Sequence, residues 1–306
     1  MRHNFARNIS RTARIPHARM IRPKPLCRSF ATDEEPFYGK PRTTGPQHTH
    51  LNSMGATTVT DRFAIAVYNA TTAFADPTRA DAVAALGEIT GPLTLRRIHD
   101  RMMADPTGRQ ILRERPVVTK ATIPYERLIA EAPDGNKDIE DEVNLTFGQV
   151  YGSFLKVHGF DPDERDDVNF VEDETLAYIM LRYRQNHDFF HAITGLPPTV
   201  LGELGLKWLE LFQTGLPVAA LSCTVGSLRL DEGEREILQN SYLPWALQHR
   251  YTADTPTNNK GNTGADLDSL STPAFLMNIY YEKEFDTPIN ELRRRLNLTP
   301  APPIPK

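Results

Sequence analysis

The 306 residues, 40% hydrophobic and 24% charged, have globular composition and enough length for one large core or two small ones, which excludes a low-complexity or disordered polymer. A formal net charge of −4 supplies no overall basic field for nucleic acid, and two cysteines exclude a disulfide-built scaffold. No run of about 18 apolar residues offers a membrane-spanning helix.

The charge is unevenly placed. Arg2, Arg7, Arg11, Arg14, Arg19, Arg22, Lys24 and Arg28 all precede the first acid, Asp33, and without them the remaining chain stands at −12. An Arg-rich, acid-free opening with Ser10, Thr12 and Ser29 and no secretory-type apolar core predicts a mitochondrial transit peptide over 1–32, with CRSFAT (27–32) as its processing site. Cys27 leaves with it, so Cys223 remains alone, in keeping with a reducing compartment. Residues 33–55, rich in Pro, Gly and Thr, read as a flexible spacer.

From residue 56 the pattern is helical. Phe63, Ala66, Val67, Ala70 and Phe74 mark one apolar face of a helix over 62–76. Asp76-Pro77 opens a second, which Gly91 stops. Residues 94–105 repeat the scheme, and Asp105-Pro106 begins a short piece ending near 116. Residues 117–142, with Pro124, Pro133, Asp134 and Gly135, read as connection. Helical spacing resumes over 145–160, a long helix follows over 172–192, and another starts at Pro197 and runs to Thr214. LPVAALSCTVGSLRL (216–230) reads first as a buried helix followed by a turn, with a wall contacting lipid or a lipid-like substrate as the alternative. YLPWALQHR (242–250) is a short helix, 252–272 a mobile polar loop, and AFLMNIYYEKEF with PINELRRRLN the ending, after which 299–306 frays as a disordered tail. The expected fold is mainly α, a single-domain multi-helix bundle over 56–298.

HDFFHAITGLPPTVLGE (187–203) stands out within it. Leu176, Met180, Tyr183, His187 and His191 follow at helical steps, so both imidazoles continue an apolar stripe. At 100° per residue, His187, His191 and Asp188 point to roughly 0°, 40° and 100° around the axis. Gly195 and the Pro197-Pro198 pair then turn the chain. Glu203, about one and a half turns into the next helix, returns to the depth of the histidines. Burying two carboxylates without a cation costs several kcal/mol each by order of magnitude. The sequence therefore predicts a divalent metal held by His187, Asp188, His191 and Glu203 on an antiparallel helix pair. Mixed nitrogen and oxygen ligands suit Zn2+, and equally Fe2+ or Mn2+ because no thiolate selects among them. Arg184 and Lys207, each four residues from a carboxylate of the motif, read as ion-pair partners or as holders of a substrate carboxylate.

Three chemistries use such spacing. H-D-x-x-H resembles the metalloprotease H-E-x-x-H, but Asp is a methylene shorter than the Glu that serves there as general base. An HD-type phosphohydrolase needs a further His and Asp, for which only His158 and Asp231 offer themselves. The third is a resemblance. HDxxH-x11-E, together with ADPTRADAVAALGEITG (75–91), GRQILRERP (108–116), FVEDETLAYIMLRYRQNHDFFH (170–191), GLKWLELFQTGLPVAAL (205–221) and YLPWAL (242–247), is similar, block by block and in order, to the eukaryotic coenzyme Q (ubiquinone) biosynthesis family that is fourth in its numbered series. The likeness runs from about 51 to 298, and the polar loop is longer than the family's pattern. It implies Zn2+ on the four motif residues and a matrix-side protein peripheral to the mitochondrial inner membrane, partnered by other coenzyme Q enzymes. It further implies C1 decarboxylation of a 4-hydroxy-3-methoxy-5-polyprenylbenzoate. The same family also suggests a non-catalytic reading, a zinc-stabilised, lipid-binding scaffold.

Overall fold

The computed structural model of this chain describes residues 91–133, 144–165, 167–169, 171–252 and 273–303. The expected transit peptide, the spacer, the helix over 62–76, most of the helix ending at Gly91 and all but the first residue of the 252–272 loop lie outside them. The described residues belong to one compact unit. They are mainly helical, and a single antiparallel bridge, Thr146 with Pro288, is the only strand-like pairing among them.

The first helices start where their caps predict. Helix α1 (Pro92–Ala104) gives way at Asp105, whose side chain accepts from the Gly108 N–H at 2.8 Å and starts α2 (Pro106–Glu114) on Pro106. The stretch expected as connection holds a helix of its own, α3 (Tyr125–Glu131). Pro124 and Pro133 bracket it without interrupting it, and a prolines-mean-loop reading overlooked that a proline before the first turn is compatible with a helix. Thr146 and Gln149 form a reciprocal cap on α4 (Phe147–His158), which stops at Gly159 in the left-handed conformation, φ 67°.

Helix α5 (Glu174–Thr194) is the central element, buried around most of its circumference for its last four turns. Its Phe189 packs edge-on against Tyr151 of α4, ring centroids 4.6 Å apart, and against Phe147 at 5.6 Å. Tyr281 and Phe285 close this aromatic cluster. Each such side chain, fully buried, contributes about 1.5–3 kcal/mol relative to exposure. Two polar residues of α5 are paired over long range, while Arg182 Nε and Asn186 Oδ1 are buried without a hydrogen bond. Gln185 holds both the N–H and the carbonyl of Val118, and Arg182, fully buried, meets both oxygens of Glu282 at 2.5 and 3.0 Å.

Gly195, φ 75°, ends α5 as expected, but the next helix, α6 (Val200–Thr214), begins three residues later than the double proline predicts. Thr199 is its cap, accepting from the Gly202 N–H at 3.2 Å. The Pro197 carbonyl presses on Gly202 so closely that a Cβ there would sit 2.1 Å from it. Only glycine lets the turn fold this tightly over the start of α6.

Helix α7 (Pro217–Gly226) and a 3-10 turn (Ser227–Arg229) follow the expected helix-and-turn over 216–230. The short helix expected over 242–250 is the end of a longer one. Helix α8 (Glu232–Ile237) passes through a π turn (Leu238–Tyr242) into α9 (Leu243–Gln248). The AFLMNIYYEKEF run forms two 3-10 turns (Leu276–Asn278 and Tyr281–Lys283) before α10 (Ile289–Arg295). Phe275, Leu276, Met277, Tyr281 and Phe285 are all buried. One helical stripe could not bury three consecutive residues, so the chain follows the core instead.

The end expected to fray is engaged as far as it is described. The Trp245 indole donates to the Thr299 carbonyl at 3.0 Å, Thr299 N–H meets His249 Nε2 at 3.0 Å, and the Ala301 N–H caps the Thr194 carbonyl of α5 at 2.8 Å.

Candidate metal centre

Three of the four predicted ligands meet. The Nε2 atoms of His187 and His191 lie 3.2 Å apart, and Glu203 reaches them with Oε1 at 3.0 Å from His191 and Oε2 at 3.3 Å from His187. All three side chains are buried, and their ligand atoms fall within 4.8 Å of one another. The two rings lie edge to face, their planes crossing at 87° with centroids 4.7 Å apart.

The reverse sides of the rings fix what those atoms offer. His191 Nδ1 lies 2.8 Å from the Leu196 carbonyl, and His187 Nδ1 lies 2.7 Å from Glu210 Oε1. Both partners accept only, and the Lys207 ammonium, farther from His187 Nδ1 at 3.4 Å, already donates to Glu210 Oε2 at 2.6 Å, so each Nδ1 carries the hydrogen and a neutral ring then presents a bare lone pair at Nε2. Two lone pairs and a carboxylate facing one another are all acceptors. Glu203 Oε2 is buried with no hydrogen-bond partner. Such a cluster needs an added positive charge, and a divalent cation on two imidazoles and a carboxylate supplies it.

Without a cation, the carboxylates draw positive charge toward the imidazoles themselves. Burial and the Lys207 ammonium act to lower the His187 pKa, yet Glu203 and Glu210 outweigh them and raise it. Burial works to raise the Glu203 carboxyl, and His191 and His187 together pull it well below the ordinary carboxylate range. Glu210 is likewise pushed by burial toward neutrality, but Lys207 and His187 bring it down to about 2.

Asp188, the fourth predicted ligand, is not part of this cluster. It is buried, but its carboxylate is taken by the guanidinium of Arg165, from the segment after the 3-10 turn Pro162–Glu164. A quarter-turn around α5 from His187, it faces that segment rather than Glu203. Arg184 does not reach Asp188 either. Its Nη1 donates to the Asp167 carbonyl at 3.2 Å. Lys207 is at the site, its Nζ 2.6 Å from Glu210 Oε2 and 3.4 Å from His187 Nδ1.

Sequence reasoning missed Arg165 and Glu210. No periodicity links Arg165 to a residue 23 positions away. Glu210 had a signal, because Glu203, Lys207 and Glu210 step by four and three along one face of α6. The residues an HD-type phosphohydrolase would need are placed otherwise. Asp231 caps α8, accepting from the Glu234 N–H at 2.8 Å, and His158 lies against Phe154 and Phe160 at ring distances of 5.1 and 5.6 Å. Phe154 in turn stacks on His191 at 5.1 Å, giving the centre an aromatic wall. Cys223 is buried and its thiol pushed up to about 12, chiefly by burial, so it remains neutral packing.

Comparison with known proteins agrees with these blocks. The family model described as "Coenzyme Q (ubiquinone) biosynthesis protein Coq4" matches residues 52–260. A ubiquinone biosynthesis protein coq4, mitochondrial, of Aspergillus niger is 38% identical over 296 residues, covering 94% of this chain and 88% of its own length. The mitochondrial COQ4 homologues of Nematostella vectensis and Bos taurus are 39% and 36% identical, covering 74% and 80% of this chain and 95% and 81% of theirs. A solved structure from Nostoc punctiforme superposes with a TM-score of 0.53 at 18% identity, over 78% of this chain and 98% of that one, a likeness of fold. With two thirds of its length matched and the HDxxH-x11-E residues all buried, this chain belongs to the Coq4 family of ubiquinone biosynthesis proteins.

Proposed function

We propose that the protein removes the C1 carboxyl group of a 4-hydroxy-3-methoxy-5-polyprenylbenzoate, using a divalent cation, zinc, held by His187, His191 and Glu203. The observation that carries this reading is the number of converging ligands. Three protein ligands leave a coordination position for substrate, as catalytic zinc sites do, whereas a structural site is closed by four. Bound there, the cation supplies Lewis acidity and a fixed anchor for an oxygen of the substrate.

The chain's own residues fit the remaining demands. Arg165 sets a guanidinium against Asp188 beside the centre, a cationic neighbour for an aromatic acid. Phe154, stacked on His191, offers a face to an aromatic ring. The hydroxyl para to the carboxyl makes C1 electron-rich, so C1 takes a proton, the bond to the carboxyl breaks, and the electrons return to the ring as CO2 leaves. In the oxidative variant one atom of O2 enters at C1 as hydroxyl and the other leaves as water, the two electrons coming from an external reductant.

The relatives' mitochondrial names and the Arg-rich opening support a mitochondrial location. Among the described residues no helix is long and apolar enough to cross a membrane. We place the protein peripherally on the matrix face of the inner membrane, with other coenzyme Q enzymes as partners.

The test is release of labelled CO2 from a C1-carboxyl-labelled polyprenyl hydroxybenzoate by the zinc-loaded protein, beside Glu203→Gln and His191→Ala checked for folding by circular dichroism. Release by the parent and not by folded variants is expected, and the phenol formed reports whether oxygen was added. No release from any of them, with metal bound and partner enzymes supplied, overturns the decarboxylase in favour of a scaffold.

A further inference from the structure

Glu210 lies seven residues beyond Glu203 on the same helix, 1% exposed, yet it is not among the converging ligands. Its two oxygens are divided between two tasks. Oε2 is held by the Lys207 ammonium at 2.6 Å and by the Tyr183 hydroxyl. Oε1 is left to face His187 Nδ1 at 2.7 Å. With Oε2 tied on two sides, the carboxylate cannot swing toward the Nε2 cluster, and the only acceptor it presents to His187 is on the far side of the ring.

That placement has a consequence for the histidine. Free imidazole divides its proton between two nitrogens, and a ring with hydrogen on Nε2 is useless as a ligand there. His191 has its tautomer set by a backbone carbonyl, which no substitution removes. His187 Nδ1 faces a side-chain carboxylate instead, which a substitution can remove. We infer that Glu210 is the positioning residue of the metal centre, holding His187 with Nδ1–H toward itself and Nε2 open, while Lys207 and Tyr183 hold Glu210 in the orientation that does so. A carboxylate bonded to the far nitrogen of a ligand imidazole also raises its basicity as a donor.

This inference rests on the metal reading but not on the decarboxylation, so it is tested by binding. The full chain, stripped of metal, is titrated with Zn2+ against a chromophoric chelator. Glu210→Ala is expected to weaken zinc by about 10–100-fold. Glu210→Gln, whose one oxygen is drawn to the Lys207 ammonium and the Tyr183 hydroxyl, turns its NH2 to Nδ1, favours hydrogen on Nε2 and should lose at least as much. Leu209→Ala, fully buried on the same helix and pointing away from the cluster, is the control for general loosening, expected to lower the melting temperature with zinc affinity changed by less than about twofold. In the metal-free parent, the 15N shifts of His187 should report hydrogen on Nδ1, and in Glu210→Ala a mixture. Equal zinc affinity in parent and Glu210→Ala, or an equal loss in Leu209→Ala, overturns the positioning role. A parent that binds no zinc overturns the metal reading itself and this inference with it, while binding without CO2 release leaves it intact.

Discussion

Helix α5 buries two charge clusters within three turns of each other, and they are built on opposite principles. At Arg182 the ions are balanced. A guanidinium fork takes both oxygens of Glu282 and the Ile279 carbonyl at 3.1 Å, donors facing acceptors. At His187, His191 and Glu203 acceptor faces acceptor, and Glu203 Oε2 has no hydrogen bond. The first cluster neutralises its own charge as the chain folds, although Arg182 Nε is buried without an acceptor. The second is complete only when something positive arrives, and that difference separates burial that serves the fold from burial that serves a ligand.

The largest effect should come from unbalancing the first cluster. Glu282→Ala leaves the guanidinium of Arg182 buried without its counter-ion, and a loss of about 3–5 kcal/mol in urea unfolding is expected, the same with zinc or with chelator. Next, Glu203→Gln should leave the metal-free protein nearly as stable as the parent while abolishing the zinc-dependent rise in melting temperature. In the parent that rise corresponds to about 2.7 kcal/mol at a free-metal concentration a hundred times Kd. If zinc stabilises both proteins alike, the acceptor cluster is not where it binds.

A third expectation concerns acid. Glu210 ionises at about 2 in the folded, metal-free protein against an ordinary 4.5, so the unfolded chain takes up the proton first. Its contribution to stability is whole above pH 4.5 and is lost as the pH falls toward about 2. Unfolding free energy measured across that window should decline in the parent and decline less in Glu210→Gln. The smallest effect belongs to Arg184. Its Nη1 donates to a loop carbonyl and it is not among the converging ligands, so Arg184→Ala should change stability and zinc affinity by no more than about 0.5 kcal/mol.

The incomplete cluster was the more legible of the two from sequence. His187, His191 and Glu203 announce themselves by helical spacing, a glycine stop and a return distance that elementary geometry converts into a meeting point. Asp188 and Arg184 were misplaced by the same arithmetic, because i,i+4 adjacency says which side chains are neighbours and not which more distant group claims them. Arg165 claims Asp188 from a loop segment with no period to read. The fold was legible where caps are local, as at Asp105, Gly195 and Gly159. It was not where long-range packing decides, as in the two 3-10 turns that carry Phe275 to Phe285 through the core, or in α3, whose flanking prolines suggested connection.

The seal on the last turn of α5 has a bearing on how the protein is made. The carbonyls of Ile193 and Thr194 are closed by the Arg293 side chain at 2.8 Å and by the Ala301 N–H at 2.8 Å, partners a hundred or more residues downstream. A helix carrying both histidines can form as soon as it is synthesised, but its end is not sealed until that much more chain has been translated and folded back. Contacts of such long sequence separation form late. The end of α5 is therefore closed late in folding, whereas the turn that brings Glu203 back to His187 and His191 spans few residues and can form early.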